Sequence, residues 1–334
     1  MDKALYPLKF EPIYQYRLWG GRKLAHLLSK PLPKEEPIGE AWILSDRKDH
    51  ASKVTNGNLK GYTITQLMKE FPKELMGILV DRFDYFPLLL KFLDCKEVLS
   101  VQVHPSDDQK SYIPKGDTGK TEAWVVLETG NDSRIYAGLK EGTDQQNLRA
   151  AIQNNCVADR LHSFVPKAGD AVFIHSGTVH TLGGTVVFEV QENSDVTFRL
   201  YDWDRTDPKT GKPRDLQVDE ALACIDFEQV NIGPAKPVVD AKQSNTEKLF
   251  DNEHFILWRM KYKSLFKVGV NNEPTILVGI EGTGNVVFNA KNHEIGKGDV
   301  MLLPAELGEC EIQPDGQITL LQIAIPGKDK SKKS

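Results

Sequence analysis

The chain of 334 residues carries only four cysteines, and no two of them form a C-x-x-C pair. Cys95, Cys156, Cys224 and Cys310 are scattered along it, which argues against a sulfur-ligated zinc cluster or a dithiol redox motif. Reduced, partly buried small apolar residues are the expectation for all four. No run of about 18 apolar residues occurs, so no segment reads as a bilayer-spanning helix. The start, Met1-Asp-Lys-Ala-Leu-Tyr-Pro7, lacks the apolar stretch of a secretory signal, and cytoplasmic residence is expected. Positive charge is not in excess either. A formal net charge of −5 gives no general attraction to nucleic acid or to an anionic membrane. Neither G-x-x-x-x-G-K-[ST] nor G-x-G-x-x-G is present to suggest a nucleotide.

What is present reads as a mainly β protein long enough for two domains and a sizeable core. Ile64, Leu67, Met68 and Phe71 fall at helical spacing after Thr63 as cap, and Pro72 ends or kinks that helix. Leu75, Ile78 and Leu79 predict a second helix. Further ones are expected from Asp144 to Ile152, capped by Thr143, and from Glu220 to Ile225. The rest is short strand-like runs. They include Ala123–Leu127, Asp170–Ile174, Thr185–Val190, Phe255–Met260, Thr275–Ile280, Asn285–Phe288, Val300–Leu303 and Ile318–Ile325. Gly233-Pro-Ala-Lys-Pro237 is the natural linker, and 328–334, with four lysines, reads as a disordered tail.

An internal echo organises these strands. Gly169-Asp170, His175, Gly177 and His180 resemble the second cupin signature, G-x5-P-x-G-x2-H, with His175 where Pro is usual. Gly298-Asp-Val-Met-Leu-Leu-Pro304 repeats its opening, but Glu306 and Glu309 replace the Gly and the His. The expected architecture is two cupin-like jelly-roll barrels, with a few helices inserted in or flanking the first. Residues 1–237 form the catalytic domain in this reading, and 238–327 a degenerate barrel without a metal site.

His104, Glu122 and His180 each lie in or beside a β run, and imidazole, imidazole and carboxylate with an open position suits zinc, ferrous iron or manganese. Residues two apart share a strand face, so Gln102 points with His104, and Lys120 with Glu122. The other six histidines (His26, His50, His162, His175, His254 and His293) have no such company and read as structural or solvated. From Thr185 to Tyr201, apolar positions alternate with Glu189, Gln191, Asp195, Thr197 and Arg199, a polar face suited to a barrel mouth. A divalent cation beside one carboxylate leaves about one surplus positive charge. Lys120 and Arg199 add to it, so the cavity invites an anionic, oxygen-rich ligand.

Tyr16-Arg-Leu-Trp-Gly-Gly21, Gly39-Glu-Ala-Trp42, Ser100-Val-Gln-Val-His-Pro105, Gly119-Lys-Thr-Glu122 and the run Phe188 to Arg205 together resemble the type I mannose-6-phosphate isomerases (phosphomannose isomerases) of the short bacterial form. The resemblance spans about the first 215 residues. It implies a cytoplasmic, zinc-dependent aldose–ketose isomerase of the cupin superfamily, with one Zn2+ per chain and a phosphorylated hexose as substrate. Gln102, His104, Glu122 and His180 are the implied zinc ligands. Arg199 matches the active-site arginine, and Lys120, Glu189 and Asp195 match cavity positions with catalytic roles. Ser100 joins Lys120 and Arg199 in binding substrate. Arg214-Asp-Leu-Gln217 departs from the usual Arg-Glu-Leu-His. A monomer or weak homo-oligomer is expected. The competing readings are a non-catalytic sugar-phosphate-binding cupin and an iron or manganese cupin enzyme.

Overall fold

The computed structural model describes residues 4–241 and 244–327; the tail expected at 328–334 lies outside them. Curled antiparallel sheets build two jelly-roll barrels, as the strand pattern predicts. In the first, the spatial order is Ala171–Ile174, Glu122–Leu139, His180–Glu192, Leu88–Cys95, Ile38–Leu44 and Ile13–Gly21. Val101–Val103 pairs with the leading end of His180–Glu192 and carries Phe198–Tyr201 on its other side. In the second half, Val300–Leu303, Thr275–Glu281, Ile318–Ala324, Ile256–Tyr262 and Thr246–Asp251 lie in one sheet. Leu8–Lys9, from the opposite end of the chain, pairs with Val300–Leu303 in that same sheet.

Alternation along His180–Glu192 decides what each side of the strand touches. Val186, Phe188 and Val190 enter a continuous apolar cluster that also holds Phe92, Phe250, Leu257 and Leu277, so the two halves share one core. Phe188 sits opposite Phe92 with ring centroids 5.4 Å apart. Val187 points the other way, toward Trp19, Leu93 and Trp124 inside the first barrel. Glu189 and Gln191 continue that inner side but are polar.

The helices follow their signals with local corrections. Thr63 and Gln66 form the capping box that starts Ile64–Glu70, and Pro72 opens the next helix, Pro72–Met76. Leu75 and Leu79 are buried, while Ile78 lies in a 3-10 turn and points outward. Asp144 rather than Thr143 caps Gln145–Gln153, its carboxylate accepting the Asn147 N–H. The last first-half helix is Val218–Cys224. The alternation expected from Thr185 to Tyr201 is interrupted: the strand ends at Glu192 and pairing resumes only at Phe198. All four cysteines are free, and all but Cys156 are buried. Among the described residues no helix is long and apolar enough to cross a membrane.

One glycine lets His180 reach the barrel interior. His180–Gly183 pairs with Arg134–Ala137, and Thr185–Gln191 with Glu122–Thr129, the register shifting between them. Gly184 takes this shift at φ +70°, and a Cβ there would lie 2.9 Å from Ser133 Cα. Gly184→Ala combines a disfavoured φ with a backbone clash. The expected loss exceeds about 1 kcal/mol, measured as a lower urea midpoint, with weaker retention of any ion that His180 helps to hold.

Candidate functional site

Strand register brings together side chains that lie far apart in sequence. Gln102 is the cross-strand partner of both His180 and Arg199, and Glu122 is the partner of Gln191. His104 follows immediately after Val101–Val103. The result is a buried trio. His104 Nε2 lies 3.5 Å from Glu122 Oε2, and His180 Nε2 lies 3.4 Å from Glu122 Oε1. Two donors about 2.1 Å from one ion at a tetrahedral angle stand roughly 3.4 Å apart, so the spacing fits a shared cation. The His104, Glu122 and His180 side chains are each 1% exposed or less.

Hydrogen bonding on the far side of each imidazole sets its tautomer. His104 Nδ1 lies 2.8 Å from the Val196 carbonyl, and His180 Nδ1 2.9 Å from that of Thr178. Only an N–H can pair with a carbonyl, so each Nε2 carries a lone pair turned toward Glu122. Burial, with Lys120 adding to it, pushes the His104 pKa down to about 3, and burial lowers that of His180. Both rings are neutral at pH 7. Burial alone would raise the Glu122 carboxyl, but the Lys120 ammonium beside it holds it well below the usual carboxylate range. Among the described residues, nothing makes a hydrogen bond to the buried His104 Nε2 or to either Glu122 oxygen. Such orphaned acceptors around one point fit a metal ion, and the N,N,O donor set suits zinc, ferrous iron or manganese. Gln102 Nε2 lies 3.2 Å from His180 Nε2, and Ser100 Oγ donates to Gln102 Oε1.

Gln102 and Lys120 connect this trio to a cavity of about 410 Å3. That is within the roughly 300–1,000 Å3 of small-molecule sites. Ser100, Glu189, Asp195 and Arg199 also line it, so every site residue expected from sequence lies at the trio or on the cavity wall. Lys120 Nζ reaches Glu122 Oε2 at 3.3 Å. Asp195 is exposed, whereas Glu189 is buried.

Sequence reasoning passed over several wall residues. Lys91 is fully enclosed, 3.0 Å from Glu189 Oε1 and bonded to Gln191 Oε1 at 2.5 Å. Trp42, Lys91, Glu189 and Trp124 form a cross-strand row, and Trp124 Nε1 donates to Glu189 Oε2. Burial works against the Lys91 charge, yet Glu189 and Glu40 raise its pKa above that of ordinary lysine. Burial raises the Glu189 carboxyl against the pull of Lys91. A lysine inside Leu88-Leu-Leu-Lys-Phe-Leu-Asp-Cys95 was the available signal, since a charge in an apolar run demands a partner. Arg17, Glu40, Asp207 and Arg214 also line the wall; Arg17, Glu40 and Arg214 lie in segments compared with the family above, which gave them no role.

His254, solitary in sequence, proves to have company. Its Nδ1 lies 3.3 Å from Glu192 Oε2, and Asp107 joins them in a second cluster of potential ligand atoms. Glu192 Oε1 accepts the Thr121 N–H at 2.7 Å, tying the His254 loop to the segment that carries Lys120 and Glu122. Burial, with Asp107 adding to it, pushes the Glu192 carboxyl up to about 8. The folded chain therefore keeps a proton that the unfolded chain releases near the ordinary value of 4.5. Between these values the unfolded state binds fewer protons, so rising pH favours unfolding through Glu192. Glu192→Gln is expected to raise the melting temperature relative to the parent at pH 8–9, with the gap closing toward pH 4.5. A pH series of thermal melts checks this, and a gap independent of pH would contradict it.

The sequence model of the type I phosphomannose isomerase catalytic domain matches residues 7–123. The Bacillus subtilis mannose-6-phosphate isomerase ManA is 34% identical over 92% of this chain and 96% of its own length. A second B. subtilis protein, the probable mannose-6-phosphate isomerase GmuF, is 32% identical over the same shares. Among solved structures, the mannose 6-phosphate isomerase of B. subtilis superposes with a TM-score of 0.86 at 29% identity. That superposition covers 96% of this chain and 99% of the other. A Salmonella typhimurium phosphomannose isomerase variant, at 15% identity and a TM-score of 0.78 over 96% and 99% of the chains, shares the fold.

Proposed function

Since this chain belongs to the type I phosphomannose isomerase family, we propose that it is a zinc enzyme interconverting mannose 6-phosphate and fructose 6-phosphate through a cis-enediol. The observation that carries the reading is the buried His104–Glu122–His180 trio, its potential ligand atoms converging beside a charged cavity. His104, Glu122 and His180 hold the zinc, with Gln102 as the fourth protein group within reach. Bound there, zinc supplies Lewis-acid stabilisation of negative charge on oxygen.

The chain's own residues do the rest. Isomerisation moves a proton between C1 and C2, and a carbon acid that weak yields only if the enediolate oxygens are stabilised. Arg199 offers a guanidinium to that developing charge. Lys120, Glu189 or Asp195 handles protons, and Ser100, Lys120 and Arg199 contact the substrate. Support for Glu189 comes from its placement: Lys91 and Trp124 fix its orientation, while burial lifts its pKa toward neutrality, as a group exchanging protons requires. The partner is a small phosphorylated sugar, and the soluble compartment that supplies it is the cytoplasm.

Metal analysis combined with a coupled assay for fructose 6-phosphate tests this reading. His104→Ala and Glu122→Ala are expected to lose bound zinc and activity together; full turnover without metal refutes the assignment. Lys120→Ala should lower kcat by roughly 10²- to 10⁴-fold, the range of a positioned acid or base. Arg199→Ala should lose most of its turnover while staying folded with zinc bound. A parent protein that binds sugar phosphate but turns none over would instead be a non-catalytic binder.

A further inference from the structure

Resting on the isomerase reading above, we propose that Arg17, braced by Glu40, is the residue that receives the substrate's phosphate group, in concert with Arg199. Arg17 lies on strand Ile13–Gly21 and Glu40 on the paired strand Ile38–Leu44, and both line the cavity. Arg17 Nε donates to Glu40 Oε1 at 2.9 Å and Nη2 to Oε2 at 3.2 Å, while Nη1 donates to the Tyr16 carbonyl at 3.1 Å. A guanidinium has five N–H groups, so two remain, one on each terminal nitrogen. That planar pair suits two oxygens of a phosphate monoester.

Glu40 is committed to holding Arg17 rather than meeting a ligand. It also accepts the Trp42 Nε1 proton at 2.6 Å. Although burial opposes its charge, Arg17 and Lys91 pull its pKa down to about 2, so it stays ionised across the working range. Gly39 fixes the placement further. A Cβ there would come within 2.5 Å of both Arg17 Cβ and the Trp19 ring, so the strands close on Arg17 only because Gly39 has none.

Charge balance points to a dianion. Among the described residues Arg199 has no carboxylate at ion-pair distance, and its buried Nε has no partner. Arg214 shares the single carboxylate of Asp202 with Arg205. Burial, then Arg214 and Arg17, depress the pKa of Arg199, as expected of cations crowded at one end of a cavity. The wall carries five cationic side chains against four carboxylates. A divalent ion with Glu122 as its one carboxylate adds about one further positive charge. A phosphate monoester, close to −2 at neutral pH, matches that surplus; an uncharged hexose would leave it unmet.

The test uses the full-length, zinc-loaded protein and two variants, Arg17→Ala and Arg17→Lys. The lysine variant keeps a charge opposite Glu40, so it remains informative if the alanine variant fails to fold. Four quantities are read: kcat and KM for mannose 6-phosphate, competitive inhibition by inorganic phosphate, and inorganic phosphate binding by calorimetry. Losing charge-assisted hydrogen bonds predicts that KM and the phosphate inhibition constant rise together, roughly 10- to 100-fold for Arg17→Ala and less for Arg17→Lys. Zinc content stays at the parent level. Phosphate inhibition and binding equal to the parent's in a folded variant overturn the proposal, as does a loss confined to kcat. Should the parent show no isomerase turnover but Arg17-dependent phosphate binding, the isomerase reading falls and the anion site stands.

Discussion

A carboxylate buried between two neutral imidazoles sets the terms for the first barrel. Glu122 has almost no contact with solvent, and its oxygens meet His104 and His180 at 3.5 and 3.4 Å without a conventional hydrogen bond. A buried charge is tolerated only when something of opposite sign stands close by. Lys120 supplies part of that compensation, and the lone pairs of two oriented imidazoles leave a gap of the shape and chemistry of a cation. The carbonyls of Val196 and Thr178, by fixing the tautomers, are as much a part of this arrangement as the donors themselves.

The sheet around the trio serves two purposes on its two faces. One face of His180–Glu192 is apolar and joins both barrels through a common core. The other carries charge in paired rows, with Lys91 against Glu189 and Arg17 against Glu40 on neighbouring strands. Pairing buried charges across rigid strands keeps polar groups aimed at a cavity without later rearrangement, which is what electrostatic stabilisation of a transition state requires. Most wall charges are consumed by each other, whereas the buried Nε of Arg199 has no hydrogen-bond partner among the described residues.

The second half of the chain keeps the barrel and uses the corresponding positions differently. Glu306, in the degenerate signature, accepts the Leu5 N–H, and Glu309 pairs with the exposed Lys267. These positions hold the chain's beginning and a surface lysine instead of converging on a point. The shared core and the pairing of Leu8–Lys9 with Val300–Leu303 tie this half to the first barrel. The similarity to B. subtilis relatives across nearly the whole length includes this region as well.

Local patterning was enough to reveal the β-rich class, the capped helix at Ile64–Glu70, the apolar side of Thr185–Val190 and the His, Glu, His donor set. Alternation and capping act between near neighbours, and unusual residues such as a histidine at a strand end stand out by themselves. Asp144 displaced Thr143 as cap because a carboxylate reaches the free amide better, a contest between adjacent residues that pattern alone does not settle. His254 meeting Glu192, Lys91 lying opposite Glu189, and Arg17 fastened to Glu40 were decided only in three dimensions. Lys91 with Glu189 and Arg17 with Glu40 depend on how neighbouring strands pair, and His254 with Glu192 on how the two halves pack against each other. Order along the chain determined which chemical groups are available. Closing the barrel determined which of them share a low-dielectric space, where a charge must find its counter-charge.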